Sequence, residues 1–80
     1  MNPAHKLLYL HEAIAVVLLG CENKTSTTIH LANEINRRGL YIRKDKKALP
    51  AYQVMQRTKL SNGRYHHLFL FISPNIVSLK

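Results

Sequence analysis

The chain has 80 residues, of which 46% are hydrophobic and 20% charged, proportions typical of an ordered globular protein rather than a disordered basic tail. This length predicts one domain, residues 1–80, and leaves no room for a second. Its formal net charge is +8, and a single cysteine, Cys21, excludes an intramolecular disulfide. Folding must therefore depend on packing, and the charge points to an acidic partner.

The positive charge is confined to the middle of the chain. Nine basic residues and only one acid, Asp45, lie between positions 37 and 64, whereas outside this stretch three lysines balance three glutamates. The nine are Arg37, Arg38, Arg43, Lys44, Lys46, Lys47, Arg57, Lys59 and Arg64. Concentrated positive charge of this kind indicates nucleic acid as the first partner to consider.

A first helix is predicted from the N-terminus to Gly20. Asn2 can cap it, Pro3 suits its first turn, and apolar residues recur at helical spacing up to the glycine. Residues 13–19 are apolar on every side of such a helix. This half of the helix is either central to the core or a surface patch for a partner.

The apolar run before Gly20 and Cys21 superficially resembles a bacterial lipoprotein signal. His11 and Glu12 interrupt the run, and it is shorter than the roughly 20 residues that span a bilayer. We therefore expect a domain helix here, a cytoplasmic protein (associated with the nucleoid if DNA is bound) and no membrane partner.

A second helix follows, capped by Thr27 or Thr28 and ending at Gly39. Its apolar face consists of Leu31, Ala32 and Ile35. Arg37 and Arg38 fall in its last turn, where cations favour the helix dipole, so they have a structural reason to be basic. Residues 40–42 predict a short extended piece, and residues 43–47 form a basic loop.

Pro50 begins a third predicted helix, which runs to about Ser61 and is ended by Asn62 and Gly63. One stripe of this helix is formed by Ala51, Val54, Met55 and Thr58, and another by Gln53, Gln56 and Arg57, with Tyr52 and Lys59 at its margins. Glutamine can pair with adenine and arginine with guanine in the major groove. The polar stripe is thus either a recognition surface or an ordinary solvated face.

The chain ends in a predicted β-hairpin. Residues 64–72 are rich in aromatic and branched side chains, residues 73–75 form a turn, and residues 76–79 form the final strand. In the first strand Leu70 and Ile72 point one way and Phe69 and Phe71 the other, so both faces are apolar. We expect both faces to pack inward, because core residues are scarce at this size; the alternative is a docking surface.

Three helices followed by a hairpin predict an α+β fold of the winged helix-turn-helix type. The order and spacing of these residues resemble the HARE-type helix-turn-helix domains, a winged-helix family that also includes the N-terminal domain of the RNA polymerase delta subunit. The matching positions are Glu12, Ala13, Ile14, Val17, Leu18, Thr27, Leu31, Ile35, Gly39, Leu40, Pro50, Val54, Arg57, residues 67–69 and residues 76–80.

The resemblance implies a domain proposed to bind DNA, often beside restriction or chromatin enzymes, or a protein-contact module in transcription. The chain departs from the family pattern at His30, where a glutamate often completes a cap, and at Leu49, where a polar residue usually precedes the proline. The turn of its hairpin also has no lysine or arginine. A wing without charge should add little to phosphate binding.

Double-stranded DNA binding is therefore the expected function, in transcription or in restriction- or chromatin-related regulation. The third helix would enter the major groove while the loop of residues 43–47 contacts phosphates. The candidate DNA-binding residues are Arg43, Lys44, Lys46, Lys47, Tyr52, Gln53, Gln56, Arg57, Lys59 and Arg64. Single-stranded nucleic acid is a minor option, because four tyrosines could stack on bases but do not cluster on one strand.

The alternative function belongs to another class: a protein-interaction module, either a homodimer or a domain docked on a larger transcription or DNA-modifying enzyme, using the first helix or the hairpin. We expect no enzymatic activity, because the four acids are scattered and no catalytic motif is present. The spacings of the five histidines and Cys21 do not match a metal site, so we expect no metal, no cofactor and no small-molecule ligand.

Overall fold

The computed structural model describes residues 8–59 and 66–80, and within them it contains three α-helices and a three-stranded antiparallel sheet. In chain order the elements are α1 (Leu10–Leu19), β1 (Thr25–Thr27), α2 (Thr28–Arg38), α3 (Ala51–Lys59), β2 (Phe69–Ile72) and β3 (Ile76–Leu79). Short 3-10 turns precede β1 and β2, at Glu22–Lys24 and His66–Leu68. The predicted α+β class is confirmed.

Helix α1 begins later than the sequence predicts. Tyr9 has extended backbone (φ −67°, ψ 158°), and its N–H donates to a carboxylate oxygen of Glu12 at 2.9 Å, which places the helix start at Leu10. The predicted cap Asn2 and first-turn Pro3 lie outside the described residues. The backbone N–H groups at the start of a helix have no partners within the helix. A glutamate side chain that accepts from one of them therefore stabilises the helix start.

The apolar half of α1 lies at the centre of the core. Ala13, Ile14, Val17 and Leu18 have at most 1% of their surface exposed. The first of the two alternatives for this segment is therefore correct for most of its side chains. Leu19, at the end of the helix, is the main exception, since 61% of it is exposed.

Helix α2 has the boundaries that its capping residues predict. The Thr27 hydroxyl accepts from the His30 N–H at 3.1 Å, and Gly39 adopts the left-handed conformation (φ 65°, ψ 33°) that ends the helix. Leu31 and Ile35 are completely buried, as their spacing predicts.

The sheet contains a strand that the sequence analysis missed. Strand order is β1-β3-β2, so β3 lies in the middle, with β1 and β2 antiparallel on either side. Thr25 pairs with Ser78, and their hydroxyl oxygens are 2.9 Å apart. Residues 40–42, for which a short extended piece is predicted, do not form a strand. The extra strand joins the segment between α1 and α2 to the hairpin.

The hairpin is confirmed, but its first strand is shorter than residues 64–72. Residues 64 and 65 lie outside the described ranges, a 3-10 turn follows, and β2 begins only at Phe69. One face of β2 turns inward, with Phe69 buried, whereas Leu70 and Ile72 are 49% and 47% exposed. The expectation that both faces pack inward is therefore wrong, because the helices cover only one side of this thin sheet.

Candidate nucleic-acid interface

The basic loop is fastened to α2 by the side chain of Asn36. Its Nδ2 donates to the Leu49 carbonyl at 3.0 Å, and its Oδ1 accepts from the Leu49 N–H at 2.9 Å. The amide thus pairs with Leu49 as a neighbouring peptide group would. Leu49 is itself 3% exposed and belongs to the core, which anchors the end of the loop just before α3 begins.

The other end of the loop is fixed as well, because the Leu40 N–H donates to the Ile35 carbonyl at 3.1 Å. Between these anchors the Lys46 N–H donates to the Arg43 carbonyl at 3.0 Å, which closes a turn. The carboxylate of Asp45 accepts from the Lys47 N–H at 3.0 Å. The loop is therefore a hydrogen-bonded turn that joins the end of α2 to the start of α3.

Among the described residues of the basic stretch, three are paired with acids. Arg43 lies 3.1 Å from the Asp45 carboxylate, while Arg37 and Arg38 contact one oxygen of Glu34 at 2.7 Å and 3.0 Å. Hydrogen bonding from Arg37, with a further contribution from Arg38, lowers the pKa of Glu34 to about 2. Glu34 therefore stays ionised and offsets part of the charge at the end of α2.

Sequence reasoning missed this pairing, although its signal was present. Glu34 precedes the two arginines by three and four positions, which places all three side chains on one face of a helix. Counting charge only from residue 37 onward left the glutamate outside the basic stretch. The arginines of α2 are thus poorer candidates for a phosphate contact than the lysines of the loop.

Lys44, Lys46 and Lys47 are exposed, and no acid in residues 8–59 or 66–80 lies within ion-pair distance of them. Lys44 and Lys46 belong to the closed turn of residues 43–46, Lys47 directly follows it, and Lys46 has positive φ (65°). Three uncompensated ammonium groups on a fixed turn form the strongest candidate phosphate contact in the described part of the chain.

The outer surface of α3 differs from the predicted stripe. Val54 and Thr58 are buried as expected. The most exposed side chains of α3 are Tyr52, 61% exposed, and Lys59, whereas the predicted centre of the polar stripe is half-buried. Those half-buried residues are Gln53, Gln56 and Arg57. Because Tyr52, Gln56 and Lys59 are spaced by four and three residues, they share the outward face.

Two contacts order this outward face. Gln56 Nε2 donates to the Tyr52 hydroxyl at 2.6 Å, and Lys59 Nζ lies 5.5 Å from the centre of the Phe71 ring, within the range of a cation–π contact. The Gln56 carbonyl oxygen and its second amide hydrogen are not used in the bond to Tyr52. An amide held in this way retains one donor and one acceptor for a ligand.

Arg57 faces α1. Its charge contributes to lowering the pKa of His11, although partial burial is the larger cause and Glu12 acts in the opposite direction. The ring of His11 stacks on Tyr9, with centroids 6.0 Å apart and planes at 9°. Helices α1 and α3 pack against each other, and the sequence pattern did not indicate the influence of Arg57 on His11.

Some of the predicted positions remain without structural description. Arg64 lies outside the described residues, as do Asn62 and Gly63. No helix in the described ranges is long and apolar enough to cross a membrane, and no three potential ligand side chains there are grouped as a metal site would need.

Comparison with known proteins adds no relative to this description: no family model matches the chain, and neither a curated protein nor a solved structure does so. The class of the protein that the fold itself defines is a small α+β domain with three helices and a three-stranded antiparallel sheet.

Proposed function

We propose that this protein binds double-stranded DNA, with the lysines of the loop on the phosphates and the outward face of α3 in the major groove. The observation that carries the proposal is the turn of residues 43–47, anchored at both ends, with Lys44, Lys46 and Lys47 exposed and unpaired with acids. A cationic turn anchored just ahead of a helix is suited to setting that helix in a groove, because phosphate contacts fix register and orientation.

We further propose that the fold is a winged helix-turn-helix. The order of α2, loop and α3 followed by a hairpin supports it, and so does the position of β1, which ties the α1–α2 connection to the hairpin. In that arrangement α3 is the recognition helix. The tip of the hairpin carries Ser73, Pro74 and Asn75, so it contributes no charge to phosphate binding.

The loop and the helix would have different tasks. Lysine contacts to phosphate give affinity that does not depend on sequence, whereas amide and guanidinium groups at base edges discriminate between base pairs. Gln53 and Gln56 are the candidates for base contacts, with Tyr52 beside them. Arg57 is half-buried and close enough to His11 to lower its pKa, so it is a weaker candidate than its position in the sequence suggested.

A salt titration of binding to a labelled duplex tests the proposal. If about five phosphates are neutralised, the logarithm of the binding constant falls with the logarithm of salt concentration at a slope near −4.5. Fluorescence anisotropy measures both quantities. No binding to any duplex at low salt and tens of micromolar protein would contradict the proposal.

A pair of charge-matched variants separates a site from a general charge effect. Lys44→Gln/Lys47→Gln and Lys24→Gln/Lys80→Gln each remove two exposed lysines, so both lower the net charge from +8 by two. The loop variant should lose about 1.8 units of salt slope, since each phosphate contact contributes about 0.9, whereas the control should lose little. Equal losses in the two variants would mean that no specific phosphate-binding site exists on the loop.

A further inference from the structure

The hairpin is an uncharged region of a strongly basic protein. Residues 68–79 include no ionisable side chain, although the chain carries a net charge of +8. On its outward side Leu70 and Ile72 are about half exposed, and Ile76 lies directly across from Ile72. This side of the sheet is therefore apolar and neutral, unlike the loop and α3.

Strand β2 is also an edge of the sheet, since β3 is its partner on one side. The Lys80 N–H donates to the Leu68 carbonyl at 3.0 Å, which sets the alternation of hydrogen-bonded pairs along the hairpin. It follows that the peptide groups of Leu70 and Ile72 face β3, whereas the Phe69 carbonyl and both polar groups of the Phe71 backbone face away. Within the described ranges no neighbouring strand pairs with this edge.

We propose that two copies of this chain associate through β2, in antiparallel register about a two-fold axis, to form a continuous six-stranded sheet. In the register that matches the free backbone groups of Phe69 with those of Phe71, Leu70 lies opposite Leu70 of the second copy. The Phe71 N–H of each copy then donates to the Phe69 carbonyl of the other, and both exposed leucines lose contact with water.

Charge is the reason for choosing a second copy as the occupant. An acidic protein would be drawn to the unpaired lysines of the loop and not to a neutral strand. Two copies repel wherever their cations face each other, so they can approach most easily through the region without ionisable groups. Lys59 lies over the Phe71 ring on the inward side of β2, and Lys80 directly follows β3, so these two lysines border the neutral region.

The size of the contact predicts a weak dimer. Three residues of each β2, Phe69, Leu70 and Phe71, are paired in this register and extend about 10 Å along the strand. Such a contact buries less than the roughly 800 Å² per partner of a standard interface. We therefore expect a dissociation constant on the order of 10–100 µM. Because residual repulsion between two copies of charge +8 is screened by salt, dimerisation should strengthen with salt, opposite to DNA binding.

Sedimentation equilibrium without DNA tests this proposal independently of the proposed function. The mean mass should rise from monomer toward dimer between about 10 µM and about 1 mM protein, and more so at high salt. Leu70→Glu should remain monomeric. Leu19→Glu, at an exposed leucine of α1, makes the same change in charge and should dimerise like the original chain.

A cross-linking experiment tests the register. In a Cys21→Ser background, Leu70→Cys should form a disulfide-linked dimer with oxidised glutathione, because Cα atoms about 4.5 Å apart in a non-hydrogen-bonded pair are within disulfide range. Leu19→Cys should not. The proposal is overturned by a strictly monomeric chain at the highest concentration, by a Leu70→Glu variant that still dimerises, or by equal cross-linking at positions 19 and 70.

Discussion

Replacing Asn36 with alanine should loosen the basic loop and destabilise the domain. The substitution removes both hydrogen bonds to the Leu49 backbone, at 2.9 Å and 3.0 Å. Each such bond contributes about 1 kcal/mol net, so their loss costs about 2 kcal/mol. Alanine returns roughly 0.6 kcal/mol through its higher helix propensity, which leaves a net loss of about 1.4 kcal/mol. That is a sizeable share of the roughly 4–12 kcal/mol expected for a chain of this length.

Asn33→Ala provides the matched control, because Asn33 is an exposed asparagine of the same helix whose side chain makes no hydrogen bond among the described residues. It should gain about 0.6 kcal/mol from helix propensity alone. The two variants should thus differ by about 2 kcal/mol in unfolding free energy, measured by urea denaturation followed by circular dichroism.

The Asn36→Ala protein should also bind duplex DNA more weakly with nearly unchanged salt slope, since the lysines remain but the loop that carries them must be ordered on binding. Equal stabilities of the two alanine variants would refute the reasoning. Such a result would mean that water replaces the amide at Leu49 without cost, so that Asn36 does not position the loop.

Three further predictions concern single residues. Because the folded-state pKa of Glu34 is lowered to about 2 from 4.5, thermal stability should fall as pH decreases through this window, and Glu34→Gln should flatten that fall. Gly39→Ala should cost about 1 kcal/mol in urea denaturation because of its positive φ, whereas Gly20→Ala, at negative φ, should not, and equal effects would contradict this explanation. The pKa of His11 should lie below its usual 6.5 in an NMR titration, so protonation of His11 costs stability as pH falls through 6.5. Arg57→Gln should raise that pKa, and no change would mean that the charge of Arg57 does not act on His11.

Local signals were sufficient to predict much of the fold. Thr27 and Gly39 determine the ends of α2 through interactions within four residues, and β3 follows directly from its apolar residues after the turn. The buried residues of α3, Val54 and Thr58, follow from helical spacing. These features depend on neighbours in the chain, which a sequence displays.

Distant contacts could not be predicted in the same way. Strand β1 is a polar Thr-Ser-Thr segment that becomes a strand only because β3, about fifty residues later, pairs with it. The contact between Asn36 and Leu49 spans thirteen residues. The outward exposure of Leu70 depends on which face of the sheet the helices cover. For the candidate site, the lysines were evident from composition, but their anchoring was not.

Mapping amide chemical shifts by NMR while adding a short duplex tests most directly whether the loop and α3 form a DNA-binding surface. We predict that the largest changes occur at Lys44, Lys46 and Lys47 and along the outward face of α3, at Tyr52 and Gln56. Shifts concentrated at Leu70 and Ile72, or spread evenly over all exposed lysines, would contradict the proposed DNA-binding surface.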